Sequence, residues 1–272
     1  MTLQLYNADC LEQMKSIPDN SIDLIICDLP YGCLTTGENK HILKRADHPD
    51  RPNNRQGVVA GCAWDIKLDL DLFWKQIRRI RKNDHTPCIH FCTTKFGYDL
   101  IKSNEKEFRY DLVWNKMRGV GFLSANKKPM VGHEMIYIFS KKGSNYNRID
   151  IEGEPYKIKK DKVDDNRTNK HYGGIVRTPK ENTGTRCVIS VIDNHNSSGI
   201  KNGHPTAKPT DLYKWLIERY SNEGDTVLDP TFGSCNSGKV CQELKRNYIG
   251  IEMNKEFFDK AHTTLQQPTA SA

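Results

Sequence analysis

Two short stretches carry side chains that could bind or activate a small molecule, and each follows an apolar run typical of a buried strand. The first is Asp28-Leu29-Pro30-Tyr31, directly after residues 23–27. An amino group on an aromatic base is a poor nucleophile because its lone pair is delocalised into the ring. The Asp28 carboxylate and an adjacent backbone carbonyl are both acceptors that could hold its two N–H groups and free the lone pair. Pro30 would stiffen the turn and Tyr31 would offer a stacking face, although four such residues also suit an ordinary turn.

The second stretch is residues 227–234 (VLDPTFGS), which continue into a helical pattern through Asn236 and Gly238. Small residues there let the backbone approach a ligand, and a helix N-terminus offers unpaired N–H groups. Glu252 lies 23 residues after Asp229, a spacing at which an acid can hold the ribose hydroxyls of a nucleoside. A plain strand-to-helix turn, followed by an acid at the start of a helix, would explain the same residues.

A phosphate loop is the rival interpretation of this second stretch. Residues 233–239 fit the pattern G-x-x-x-x-G-K, but the next residue is Val240. A nucleotide phosphate loop needs Ser or Thr there, because that hydroxyl holds magnesium. The sequence therefore disfavours a nucleotide triphosphatase.

Short apolar runs alternate with helical patterns, which predicts an α/β fold with a mostly parallel, doubly wound sheet. Ligands of such sheets bind beyond the carboxyl ends of the strands, where both stretches lie. The predicted strands are residues 3–6, 23–27, 88–92, 110–114, 134–139, 226–228 and 248–251. The predicted helices are residues 11–17, 70–81, 98–103, 209–220, 237–244 and 255–265. Residues 143–203 contain only scattered strand-like pieces, such as 187–192, and we interpret them as an insertion.

The positive charge is concentrated in loop-like stretches. The 272 residues include 41 Lys and Arg against 34 Asp and Glu, a formal net charge of +7. Residues 115–130 hold four basic and no acidic residues, and residues 33–63 and 143–203 are also net positive. Basic loops on a near-neutral body suggest a polyanionic partner, and a solvated Lys-rich surface fits the charge equally well. We expect residues 33–63 to form a long mobile loop.

Several motifs in the expected order resemble the DNA amino-methyltransferases that use S-adenosylmethionine, specifically their permuted β group. Asp28-Leu29-Pro30-Tyr31 is similar to that family's Asp-Pro-Pro-Tyr motif, with Leu29 in place of the first Pro. Residues 229–234 resemble its cofactor loop, and His204-Pro205-Thr206-Ala207-Lys208-Pro209 resembles its His-Pro-Thr-x-Lys-Pro motif. Residues 114–134 resemble a further stretch common in phage and bacterial members. The resemblance covers residues 1–142 and 204–265.

The resemblance implies a role for each matching residue. The catalytic residues would be Asp28, Leu29 through its carbonyl, Pro30 and Tyr31. Those implied to bind S-adenosylmethionine are Asp9, Asp28, His204, Lys208, Pro209, Asp229, Phe232, Gly233, Ser234, Asn236 and Glu252. Among these, Glu252 would hold the ribose, Lys208 the methionine carboxylate and Asp9 the adenine amine, although Asp9 also suits a helix cap. Candidate DNA-binding residues are Lys116, Arg118, Lys127, Lys128, Arg167, Arg177 and Arg186.

The resemblance also implies the fold: a Rossmann-like class I methyltransferase fold, circularly permuted, with an inserted target-recognition region. Residues 1–142 would form the catalytic half, 143–203 the target-recognition region and 204–272 the cofactor-binding half. The nucleoside-binding half lacks its third strand after Glu252, and residues 3–6 would supply that strand from the N-terminus. The expected activity is methyl transfer to N6 of a flipped-out adenine in double-stranded DNA, as in restriction-modification systems.

Other functions stay open from the sequence alone. Methylation of cytosine N4, methylation of RNA, and DNA binding by a catalytically silent protein of this fold are the alternatives. No apolar run approaches the ~20 residues of a membrane span, and the N-terminus lacks a signal-peptide pattern, so we expect a cytoplasmic protein. The nine cysteines include no Cys-x-x-Cys pair, which predicts reduced thiols and no metal site. A homodimer is expected from the resemblance.

Overall fold

A computed structural model of the chain describes residues 1–31, 67–158, 180–193 and 207–266. The predicted loop 33–63, together with His204, Arg167 and Arg177, lies outside the described residues. The described chain forms two compact units, residues 1–147 with 190–272 and residues 148–189.

An eight-stranded sheet is the centre of the larger unit. Its strands are β1 (Leu3–Tyr6), β2 (Leu24–Cys27), β3 (Cys88–Cys92), β4 (Phe108–Val120), β5 (Val131–Phe139), β10 (Val191–Asp193), β11 (Thr226–Asp229) and β12 (Asn247–Ile251). Their order across the sheet is β1-β12-β11-β2-β3-β5-β4-β10. Strand β5 runs antiparallel to both neighbours, and every other pairing is parallel. The predicted mostly parallel sheet is therefore confirmed.

The first strand of the chain lies beside the last one. Leu3 pairs with Tyr248 and Tyr6 with Ile251, in parallel register. The N-terminal strand thus occupies the sheet edge next to β12, which is the position that the sequence predicts for the third strand of the nucleoside-binding half.

Helices cover both faces of the sheet, as expected for a doubly wound fold. Helices α1 (Cys10–Met14), α2 (Leu70–Ile80) and α3 (Thr94–Ser103) pack on one face. Helices α4 (Thr210–Tyr220), α5 (Asn236–Glu243) and α6 (Lys255–Gln266) are on the other. Alternate residues of β2 divide between the two cores, because successive strand side chains point to opposite faces. Burial on both faces explains why β2 is a continuous apolar run.

Five predicted elements differ from the structure by three residues or more. Strand β4 ends at Val120 rather than at residue 114, β5 begins at Val131 rather than at 134, and α1 ends at Met14 rather than at 17. Residues 187–190 are not strand, and β10 contains only Val191–Asp193, paired with Val113–Asn115 of β4. Helix α3 begins at Thr94, four residues before the predicted start, because the Thr93 side chain caps it by accepting from the Phe96 N–H at 3.4 Å. The other predicted helices and strands begin and end within two residues of the observed bounds.

The smaller unit contains two short antiparallel ribbons. Strand β6 (Ile151–Glu152) pairs with β9 (Thr185–Arg186), and β7 (Tyr156–Ile158) pairs with β8 (Lys180–Asn182). Among the described residues, no helix is long and apolar enough to cross a membrane.

Candidate active site

A cavity of about 350 Å³ opens at the carboxyl ends of β1, β2, β11 and β12. This volume lies in the range of small-molecule sites. Both stretches singled out in the sequence contribute to its wall, because the carboxyl ends of parallel strands meet at one sheet edge. The lining residues are Ala8, Asp9, Cys10, Leu11, Asp28, Pro30, Lys67, Leu68, Asp69, Ala207, Lys208, Tyr213, Pro230, Thr231, Phe232, Gly233, Ser234, Glu252, Met253 and Phe257.

Asp28 lies on the cavity wall with both carboxylate oxygens hydrogen-bonded. The Tyr31 hydroxyl donates to Oδ1 at 2.7 Å, and the Lys208 ammonium donates to Oδ2 at 2.5 Å. Burial, and then the charge of Asp28, raises the pKa of the Tyr31 hydroxyl well above its usual value, so it stays protonated. A carboxylate offers about four lone-pair positions, so Asp28 retains acceptor capacity beyond these two hydrogen bonds.

Lys208 belongs to a buried charge cluster that extends away from the cavity. Its Nζ lies 3.5 Å from Glu134 Oε2, and Glu134 also pairs with Lys116. Burial lowers the pKa of the Lys208 ammonium, but the charges of Asp28 and Glu134 outweigh burial and raise it. Burial likewise raises the pKa of Glu134, whereas Lys208 and Lys116 lower it overall. The cluster therefore holds the Lys208 ammonium and the Glu134 carboxylate in their charged forms.

The loop after β11 surrounds the other end of the cavity. Glu252 accepts from the Gly233 N–H at 3.0 Å and from the Asn254 N–H at 2.7 Å. Gly233 adopts a positive φ of 52°, a conformation that favours glycine and lets the main chain approach a ligand. These two backbone donors fix the Glu252 carboxylate on the wall and leave it further acceptor positions.

Asp229 lies behind this loop, not in the wall. Its Oδ2 accepts from the Ser237 hydroxyl at 2.6 Å and its Oδ1 from the Thr231 N–H at 3.1 Å. Burial raises the pKa of the carboxyl to about 7, and those two hydrogen bonds only partly oppose the shift. Asn236 is also fully buried and donates to the Lys208 carbonyl at 2.7 Å. Both side chains connect the loop to neighbouring elements.

The remaining predicted site residues divide into two groups. Asp9 lines the cavity, and its side chain caps α1 by accepting from the Glu12 N–H, which confirms the helix-cap interpretation. Of the other predicted residues, Asp28, Pro30, Lys208, Phe232, Gly233, Ser234 and Glu252 are in the wall, whereas Leu29, Tyr31, Pro209, Asp229 and Asn236 are not. The Tyr31 ring packs on Phe96, with ring centroids 5.1 Å apart.

Two of the candidate DNA-binding residues have partners within the chain. Lys116 is 8% exposed and paired with Glu134, so it does not face solvent. Arg186 stacks on Tyr156 and donates to the Asn182 side chain at 2.7 Å, within the smaller unit. Arg118, Lys127 and Lys128 are exposed.

Sequence reasoning missed residues from three other regions. Lys67, Leu68 and Asp69 precede α2, Tyr213 belongs to α4, and Phe257 belongs to α6. None stands in a motif, and only the chain topology brings them to the cavity. Glu134 ends the stretch 114–134 that resembles the family, and a single acid before an apolar run is also a signal that it has a specific partner.

Three buried side chains beside β2 could in principle ligate a metal. The Cys27, Cys88 and His90 ligand atoms all lie within 4.8 Å of one another, and Cys88 Sγ is 3.3 Å from His90 Nε2. Burial raises the pKa of Cys88, but Cys27 and His90 outweigh it and lower the value to about 6. Among the described residues this set stops at three ligands, one short of a tetrahedral structural zinc site, and we assign no metal to it.

Curated relatives of this chain are methyltransferases of similar length or somewhat longer. Type II methyltransferase M.HinfI from Haemophilus influenzae is 28% identical over 273 residues, which cover 97% of this chain and 68% of the relative. Type II methyltransferase M1.MboII from Moraxella bovis is 26% identical over 277 residues, covering 97% of this chain and 96% of the relative.

Solved structures share the fold. The crystal structure of the M1.HpyAVI–SAM complex superposes with a TM-score of 0.58 at 21% identity, covering 98% of this chain and all of that one. The PvuII DNA methyltransferase, described as cytosine-N4-specific, gives a TM-score of 0.65 at 15% identity, covering 100% and 89%. The Rossmann-like methyltransferase fold expected from the motifs is confirmed.

The profile of the N6_N4_Mtase family, described as a DNA methylase, matches residues 22–263. That range begins before Asp28 and ends after Glu252, so it includes most of the cavity wall. The chain therefore belongs to this family of DNA methylases.

Proposed function

We propose that this DNA methyltransferase transfers a methyl group to N6 of an adenine that has left the duplex and entered the cavity at Asp28. One observation carries the proposal: Asp28, an acceptor for an amino group, shares one cavity with the loop 230–234 and Glu252. Acceptor and candidate cofactor loop thus face the same space, as a direct transfer requires. Positioning two reactants in this way can supply much of the rate enhancement.

S-adenosylmethionine is the methyl donor, and the cavity fits it. Glu252, held by two backbone N–H groups, would accept from the ribose hydroxyls. The positive φ of Gly233 allows close approach of the main chain, and Asp9 in the wall would accept from the adenine amine. Lys208 would reach the methionine carboxylate only by sharing its ammonium with Asp28 and Glu134. When bound, this cofactor supplies an electrophilic methyl group on a sulfonium.

The residues around Asp28 would hold the target amine for attack. The Asp28 carboxylate and the Leu29 carbonyl would accept its two N–H groups, which localises the lone pair on nitrogen. Pro30 fixes the turn that carries both acceptors. Tyr31 is hydrogen-bonded to Asp28 and packed on Phe96, so it orients the carboxylate. We therefore propose that its role includes positioning Asp28, in addition to stacking on the target base.

The larger assignments follow from the order of the motifs. The catalytic motif precedes residues 143–203 and the cofactor loop follows them, as in the permuted β group. Strand β1 beside β12 supports this assignment. We propose the smaller unit, residues 148–189, as the main part of the target-recognition region.

Nucleoside analysis by mass spectrometry tests the proposal. DNA from cells that express the chain, and from cells that express Asp28→Ala, is digested to nucleosides. N6-methyladenine above background with the wild type and not with Asp28→Ala supports it. Detection of N4-methylcytosine instead would show that the target is cytosine, methylated by the same mechanism. If neither protein produced a methylated nucleoside, the chain would be a catalytically silent DNA-binding protein.

A further inference from the structure

A long hairpin extends past the sheet edge that carries the active site. Strands β4 and β5 form it, and β4 runs parallel to β2 because β5 is antiparallel to both β3 and β4. The end of β4 therefore points in the same direction as the end of β2, where Asp28 follows. Met135 pairs with Cys92, the last residue of β3, so residues 131–134 continue beyond that strand.

The tip of this hairpin presents large apolar side chains to solvent. Gly121, at a φ of 91°, turns the chain into a short 3-10 helix of Phe122–Ser124. Phe122 is 79% exposed and Leu123 is 75% exposed, more than any other large apolar residue in the described part of the chain. Met117, Met130 and Val131 below the tip are also exposed. An exposed apolar group of this kind marks an interaction surface.

The charges around the tip select the partner. Arg118, Lys127 and Lys128 are exposed, and residues 115–130 contain no acid. A surface with apolar residues at its centre and cations around it is complementary to duplex DNA, in which stacked bases lie between phosphates. The substrate assigned to this chain is DNA, so no other partner is needed to explain the tip.

The hairpin is connected to Asp28 through two ion pairs. Glu134, at its base, lies 3.5 Å from Lys208 Nζ, which is 2.5 Å from Asp28. Strands rise about 3.4 Å per residue, so Val131 is roughly 10 Å beyond Glu134 and the tip begins roughly 10–20 Å from the cavity.

We infer that residues 115–132 form a wedge, with Phe122 and Leu123 inserting between base steps beside the target and stabilising its eversion. Unstacking a step costs a few kcal/mol, and apolar side chains that fill the opened step offset this cost. Arg118, Lys127 and Lys128 would contact the flanking phosphates. The inference rests on the proposed DNA methyltransferase function and adds the residues that open the duplex.

The test compares paired and mismatched duplexes built on the modified site found by sequencing cellular DNA. The variant Phe122→Ala/Leu123→Ala changes only exposed side chains, so its folding should be unaffected. We expect its kcat/KM to fall roughly 10–100-fold on the paired duplex and to recover when the target base faces a mismatch, because a mismatched base costs less to evert. Fluorescence of 2-aminopurine at the target position should fall in parallel, and S-adenosylmethionine affinity should not change.

Two controls separate a wedge from a simple contact. Phe122→Trp/Leu123→Met keeps the apolar volume and should retain activity. Lys127→Ala/Lys128→Ala should reduce the slope of log K for DNA binding against log salt concentration by about two. The reduction should be equal on both duplexes. Wild-type turnover of the paired duplex by Phe122→Ala/Leu123→Ala, or equal losses on both duplexes, would overturn the wedge. Failure of the proposed function would look different, because the wild type would then neither bind S-adenosylmethionine nor methylate DNA.

Discussion

The buried charge cluster at the base of the hairpin makes a quantitative prediction about stability. Lys208 lies 2.5 Å from Asp28 and 3.5 Å from Glu134, and its side chain is 5% exposed. Lys116 balances the second negative charge. Lys208→Met would leave two carboxylates with one ammonium, and Glu134→Gln would leave two ammonium groups with one carboxylate. Each change breaks a buried ion pair, which costs ~3–5 kcal/mol.

The double variant should cost much less than the sum of the two single variants. Lys208→Met/Glu134→Gln leaves one ammonium, on Lys116, and one carboxylate, on Asp28, so the cluster is neutral again. Two unit charges 3.5 Å apart interact by roughly 4–5 kcal/mol at an effective dielectric constant of about 20. We therefore expect a coupling free energy of ~2–4 kcal/mol between Lys208 and Glu134.

Urea denaturation of the wild type, the two single variants and the double variant measures this coupling. The matched control is the exposed pair Lys255 and Asp259, 2.9 Å apart, with side chains 75% and 56% exposed. Its cycle, Lys255→Met with Asp259→Asn, should couple by no more than a few tenths of a kcal/mol. Additivity within ~0.5 kcal/mol at Lys208 and Glu134 would refute the electrostatic account of the cluster.

Two further predictions concern the cofactor end of the cavity. Asp229 has a pKa of about 7 in the folded chain against an ordinary 3.8, so its contribution to stability is present in acid and is lost as pH rises through ~4–7. The free energy of unfolding of Asp229→Asn, taken relative to wild type, should rise by on the order of 4 kcal/mol from pH 4 to pH 8 in denaturation experiments. Parallel pH curves for the two proteins would contradict this. In Gly250→Ala the new Cβ would lie 2.6 Å from the Tyr248 ring and 2.8 Å from Phe232 in the cavity wall. We expect this variant to lose ~1–3 kcal/mol of stability and to bind S-adenosylmethionine more weakly. The control Gly143→Ala, with open space around it, should match wild type in thermal melting and in titration calorimetry.

The cavity could be predicted from the sequence because each residue that identifies it stands in a short local pattern. Asp28 follows an apolar run, Gly233 lies in a loop of small residues, and Glu252 ends the next strand. Parallel strands bring their carboxyl ends to one edge, so residues placed by local pattern meet in space. The structure finds all three in one wall.

The charge cluster could not be predicted in the same way, since it depends on strand order. Glu134 reaches Lys208 only because β5 inserts antiparallel between β3 and β4, and no local pattern states that order. Lys116 is different, because a signal was present: Leu112 and Trp114 are buried at alternate positions of β4. Continuing the period of two places Lys116 on the same inner face, where it pairs with Glu134.

The central claim is that Asp28 activates the target amine by accepting its hydrogen atoms. Single-turnover methyl transfer by Asp28→Asn, together with calorimetric titration of S-adenosylmethionine, tests it most directly, because Asn keeps the shape and replaces one acceptor by a donor. We predict that the variant still binds S-adenosylmethionine and that its methyl-transfer rate at saturating cofactor is ~10²–10³-fold lower. Transfer at the wild-type rate would contradict the claim.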